Sequence, residues 1–110
     1  MEIKYKIWLE HDHKVIFGKG RKELFHAIDE CKSLKAAAEK LNMSYRAAWG
    51  RLKASEERLG KKIVIVDPLK RGMRLTEEAK DILTEYEKLE KAFEQLLVKS
   101  GSKLTSLMKD

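Results

Sequence analysis

Between Ser44 and Lys53 the chain gathers the side chains best suited to chemistry on a nucleic acid: Tyr45, Arg46, Trp49, Gly50 and Lys53. At helical spacing they fall on one side of a single helix. Cations there can meet phosphates or guanine edges, and rings can meet bases or thymine methyl groups. Gly50 costs a helix about 1 kcal/mol relative to Ala but leaves room for close backbone approach. Ser44 is placed to cap the helix start.

Other chemistries find no comparable grouping. Cys31 falls on the apolar stripe of its own helix with no neighbouring base, so a buried structural thiol is expected rather than a nucleophile. His11 and His13, with Asp12 between them, sit at a hairpin tip with no fourth ligand, and an ordinary hydrated turn is expected. His26 lies in no triad spacing. The pairs Glu56-Glu57 and Glu77-Glu78 are adjacent on helices and so point to different sides. Gly18-Lys19-Gly20 lacks the spacing of a phosphate loop. No catalytic residue, metal or cofactor is expected, and an enzyme is disfavoured.

The elements that must carry the basic helix can be read around it. Ser33 caps a preceding helix whose stripe is Leu34, Ala37, Ala38 and Leu41, and Ala36, Ala37 and Ala38 permit a close crossing. Asn42-Met43-Ser44 makes the corner, with Asn42 suited to a left-handed conformation. The second helix turns Ala48, Leu52, Ser55 and Leu59 inward, joined by Met43 and Ala47 at its start. Two compact helices at a tight corner form a helix-turn-helix. Upstream, Ile3, Tyr5, Ile7 and Leu9 alternate with Lys4, Lys6 and Trp8, which predicts a strand over 3–9. A polar turn over 10–14 and a return strand over 15–17 complete a hairpin. A helix over about 20–31 then buries Leu24, Ala27, Ile28 and Cys31, flanked by Phe25, as the third wall of the core.

Downstream, Gly60 stops the second helix, and residues 61–67 and 73–75 predict a two-stranded wing with Lys70 and Arg71 at its tip. Lys35, Lys62, Lys70, Arg71 and Arg74 are the expected phosphate or minor-groove contacts. Thr76 opens a long helix over 77–99. Ile82, Tyr86, Leu89, Phe93 and Leu96 recur in it at spacings of 4, 3, 4 and 3, widened by Leu83 and Leu97. That heptad seam exceeds what a small core can cover, so a homodimer interface is expected. Residues 100–110 read as a loose tail, with Leu104, Leu107 and Met108 able to add a helical turn. The fold class is α+β, mainly α: residues 1–76 form the winged helix-turn-helix unit and 77–99 the dimerisation helix.

At 110 residues the chain suits one domain. Residues 33–76 hold eleven Lys or Arg against four Asp or Glu, whereas 77–99 hold four against seven. A basic middle followed by an acidic helix fits a double-stranded DNA-binding domain with a separate association element. No apolar run reaches the ~20 residues of a membrane span, and no signal-peptide core is apparent. With Cys31 alone there is no disulfide framework, and a cytoplasmic location is expected. The rival reading is a winged protein-interaction module that does not bind DNA.

The run from Lys4 to about Tyr86 resembles the N-terminal DNA-binding domain of ModE, the molybdate-responsive repressor family, and more distantly the LysR-type winged helix. Lys6-Ile7-Trp8-Leu9-Glu10, Phe17-Gly18-Lys19-Gly20-Arg21, Ala27-Ile28-Asp29-Glu30, Ser33-Leu34-Lys35-Ala36-Ala37-Ala38, Met43-Ser44-Tyr45-Arg46-Ala47-Ala48-Trp49 and Leu75-Thr76-Glu77 carry the likeness. The resemblance implies a dimeric winged helix-turn-helix regulator acting on molybdenum-related genes. No oxyanion-binding module of that family's kind is expected within these residues, and Pro68-Leu69-Lys70-Arg71-Gly72 replaces a glycine-rich wing. A stand-alone binder is expected, either constitutive or controlled by a separate effector-sensing protein.

Overall fold

The computed structural model describes residues 2–69 and 72–109. Strand β1 (Leu9–His11) pairs antiparallel with β2 (Lys14–Phe17), and helix α1 (Lys19–Cys31) follows. Asp12 and His13 both take positive φ, 50° and 65°, as a two-residue type I′ hairpin turn requires. Among the described residues no cluster of His, Cys, Asp or Glu could hold a metal.

Helices α2 (Leu34–Lys40) and α3 (Tyr45–Leu59) meet at the expected corner. Ser33 Oγ accepts from Ala36 N and Ser44 Oγ from Ala47 N, so both helices start on hydroxyl caps. Asn42 takes φ 54°, and Met43 N donates to Ala38 O across the turn. Packed over the corner, α1 contributes Leu24, Phe25, Ala27 and Ile28 to one core with Leu34, Ala37, Ala38, Ala48 and Leu52. Cys31 is only half-buried rather than interior, because α1 reaches its left-handed end at Lys32 beside it. Ala47 is exposed, not inward. One residue before Ala48, it is turned about 100° from the buried stripe.

Strands β3 (Val64–Asp67) and β4 (Gly72–Leu75) form the wing. It is fastened at its base, where Met73 N donates to Lys32 O (2.9 Å) and Leu75 N to Asp29 Oδ1 (3.3 Å). Lys70 and Arg71, the expected tip contacts, lie outside the described residues. The fold is thus a mainly helical α+β winged helix-turn-helix with an N-terminal hairpin and a long last helix.

That last helix, α4, runs Glu77–Met108, through residues expected as a loose tail. Thr76 caps it, and Glu77 and Glu78 occupy its positive end. Its length of 32 residues, about 48 Å, gives the molecule its 65 Å long dimension. No helix among the described residues is long and apolar enough to cross a membrane.

The predicted strand over 3–9 is shorter than expected: only Leu9–His11 joins a ladder. Its period-two pattern is instead used against a helix. Tyr86 Oη donates to Ile7 O at 2.8 Å, the Tyr5 and Phe93 rings stack at 6.2 Å, and Ile3 lies beside Gly101. The N-terminal segment therefore runs antiparallel along α4. In the monomer, Leu83 and Tyr86 are core residues and not a free dimer seam. Tyr86 meets Phe17 edge to face at 4.7 Å.

Candidate nucleic-acid interface

Helix α3 presents the expected residues outward. Tyr45 is 54% and Trp49 48% exposed, and Arg46, Gly50 and Ser44 are also at the surface. Neither ring is needed by the core, whose α3 contribution is Ala48, Leu52 and Ser55. The Lys53 ammonium stands 5.8 Å from the centre of the Trp49 ring and 3.3 Å from Glu56, so it is held toward one flank of the helix. Gly50 has no packing reason within the monomer, since a methyl group there would meet nothing within 4 Å. Its φ is not in the left-handed region, so backbone strain does not explain it either.

The wing is positioned from the same flank by a residue the sequence reading missed. Glu56 is 8% exposed, and its Oε2 accepts from Ile63 N (2.8 Å) and Val64 N (3.4 Å). Burial pushes the carboxyl up. The two amides and the Lys53 ammonium outweigh that and hold it below the ordinary carboxylate value. An acid in the last turn of α3 thus clamps the first residues of the wing. Its sequence signal was slight: it falls three positions after Lys53, among helix residues where an acid normally faces water.

Of the expected backbone contacts, Lys35 is exposed on α2, Lys62 just before β3 and Arg74 on β4. Thr76 Oγ1 donates to Lys62 O, tying the start of α4 to the strand base. At the turn, Leu69 N donates to Asp67 Oδ1, while Val66 and Leu69 are largely exposed. On the opposite flank of α3 stand Arg51, Arg58 and, from α1, Arg21, whose Nε donates to Ser55 Oγ at 2.8 Å. Burial, then the nearby Arg58 and Arg51 charges, lower the Arg21 pKa from the usual guanidinium value.

Along α4 the residues expected to pair are divided. Leu83 and Tyr86 are buried at home, Ile82 and Leu97 are half-buried, and Leu89, Phe93 and Leu96 are exposed. An apolar groove of about 430 Å³ runs beside Leu9, Ile82 and Leu89.

A family model described as bacterial regulatory helix-turn-helix protein, lysR family, matches residues 21–80. Among solved structures, the CbnR DNA-binding domain in complex with DNA is similar, at 23% identity and TM-score 0.56, over 83% of this chain and 99% of that one. The BenM DNA-binding domain with a benA site is 23% identical with TM-score 0.59, over 79% of this chain and 94% of that one. OxyR of Corynebacterium glutamicum, in its oxidised form, is 26% identical with TM-score 0.55, over 74% of this chain but only 26% of that one. No curated protein matches the chain. The matched model takes in α1, the helix corner, the wing and the start of α4, more than half of the residues, and the chain belongs to the LysR family of bacterial regulatory helix-turn-helix proteins.

Proposed function

We propose that the protein is a sequence-specific transcription regulator that binds double-stranded DNA as a homodimer in the cytoplasm. One observation carries this reading: α3 holds two half-exposed rings and a guanidinium on a surface with no role in the core. Ser44, Tyr45, Arg46, Trp49, Gly50 and Lys53 are its major-groove residues. Lys35, Lys62 and Arg74, with Lys70 and Arg71, are its phosphate or minor-groove contacts. That the CbnR and BenM domains were seen with DNA supports the reading. Pairing is assigned to the stretch of α4 from Ile82 to Leu97, where Leu89, Phe93 and Leu96 are exposed and Ile82 and Leu97 half-buried.

A link to molybdenum-related genes, with the effector sensed by another protein, rests on the likeness of the Ser44–Trp49 string to ModE. It is the finest layer of the proposal. Selection of bound duplexes from a random pool tests the whole: an enriched inverted repeat is expected, since two-fold pairing of the protein mirrors two-fold symmetry in the site. A pool that stays unenriched contradicts it. The interaction-module reading is favoured by one feature, the exposed Val66 and Leu69 of the wing. It predicts no salt-sensitive retention of random duplex at low salt.

A further inference from the structure

The flank of α3 turned away from the wing opens onto a second basic surface. A cleft of about 610 Å³ lies between the N-terminal segment, the start of α1 and α3, lined by Lys6, Trp8, Lys19, Arg21 and Arg51, with Glu10 and Glu23. We propose that this cleft seats a phosphate of the DNA backbone, on the side of the groove opposite the wing. The inference rests on α3 being the helix that enters DNA.

Four cations line the cleft against two carboxylates, and one of these is engaged: Glu10 Oε2 accepts from Trp8 Nε1 at 2.6 Å. Among the described residues none of the four cations has an ion-pair partner. The first turn of α1 contributes no acid. Two of the cations have a contact that orients them. Arg21 is fixed through Nε to Ser55 Oγ, Arg51 Nη1 lies 3.5 Å from where a methyl group on Gly20 would stand, and the Lys6 ammonium sits 5.8 Å from the Trp8 ring centre. The mutual repulsion of Arg21, Arg51 and Arg58 is what a bound anion would relieve.

Geometry selects a backbone phosphate over a free one. Arg51 follows Gly50 by one position, about 100° round the helix, which puts it on the flank away from Glu56 and the wing. A helix in the major groove has a phosphate strand on each side, the groove being about 12 Å wide. Lys62 stands beside Trp49 and Lys53 on the wing side of α3, and the cleft faces the other strand. Lys6 and Trp8 come from the N-terminal segment and Lys19 from the start of α1, whereas Arg21 and Arg51 lie within the family match over residues 21–80.

The test is the salt dependence of binding, by anisotropy, to a selected duplex and a random-sequence duplex. The exposed-residue variant Lys19→Gln/Arg51→Gln should lower affinity about tenfold on both, because phosphate contacts do not read sequence. The slope of log K against log salt should shrink by about 2 in magnitude. A Lys99→Gln/Lys103→Gln control on the distal part of α4 should leave both unchanged. An unaltered slope in the cleft variant, a loss confined to the selected duplex, or an equal loss in the control overturns the proposal. If the parent binds with salt dependence and Arg46→Ala weakens it while the cleft variant does not, only the cleft assignment falls. A parent without salt-sensitive binding removes the DNA reading and the cleft together.

Discussion

Gly50 separates folding from function at a single residue. Open space surrounds it and its backbone is unstrained, so the fold gains nothing from the missing side chain. Gly50→Ala is expected to stabilise the protein by about 1 kcal/mol, raising the midpoint of thermal unfolding by a few degrees, while weakening DNA binding. Stabilisation with unchanged binding would leave the glycine unexplained. Glu56 makes the opposite case. Its carboxylate is held below the ordinary value of 4.5, so the folded state loses protons more readily than the unfolded one. The stability it supplies is complete above about 4.5 and is lost as pH falls through the lower folded value. Glu56→Gln should cost about 1–3 kcal/mol at neutral pH and flatten the acid limb of a pH–stability curve measured by urea unfolding.

At the scale of elements, the helices and their corner were legible because capping residues and apolar spacing agreed: Ser33, Ser44 and Thr76 all cap as their positions suggest. The strands were less so. Alternation over Ile3, Tyr5, Ile7 and Leu9 correctly marked an extended segment with one used face. Periodicity does not identify the partner, which is helix α4 for the first three. The end of α4 was also misjudged: Ser100-Gly-Ser suggested a break, yet the helix continues to Met108, and Gly101 provides the room that Ile3 occupies. Glu56 was invisible because its partners are backbone amides brought close only by the fold. The exposed apolar face that α4 retains predicts association. Leu89→Asp/Leu96→Asp should convert a dimer to a folded monomer in analytical ultracentrifugation, since both positions lie outside the core. A parent already monomeric at tens of micromolar would contradict the pairing.

For the whole molecule, charge and shape act together. The basic stretch of residues 33–76 maps to the helix corner and wing, whereas the acidic stretch of 77–99 lies on α4, where Glu90 and Glu87 contact Lys22 and His26 of α1. Glu87 and Glu90 are thus turned to α1, whereas Glu78 at the start of α4 pairs with Lys61 beside Lys62. Composition could suggest that division, but only the fold puts Arg21 and Arg51 on one flank and the wing on the other. The most direct test of the account is a pair of binding titrations, on a selected duplex and its scrambled counterpart, with the parent, Arg46→Ala and Trp49→Ala. If the outward face of α3 reads base pairs, each substitution should reduce the preference for the selected duplex by about tenfold or more. Variants that keep the parent's preference in full would contradict the claim that this face meets DNA.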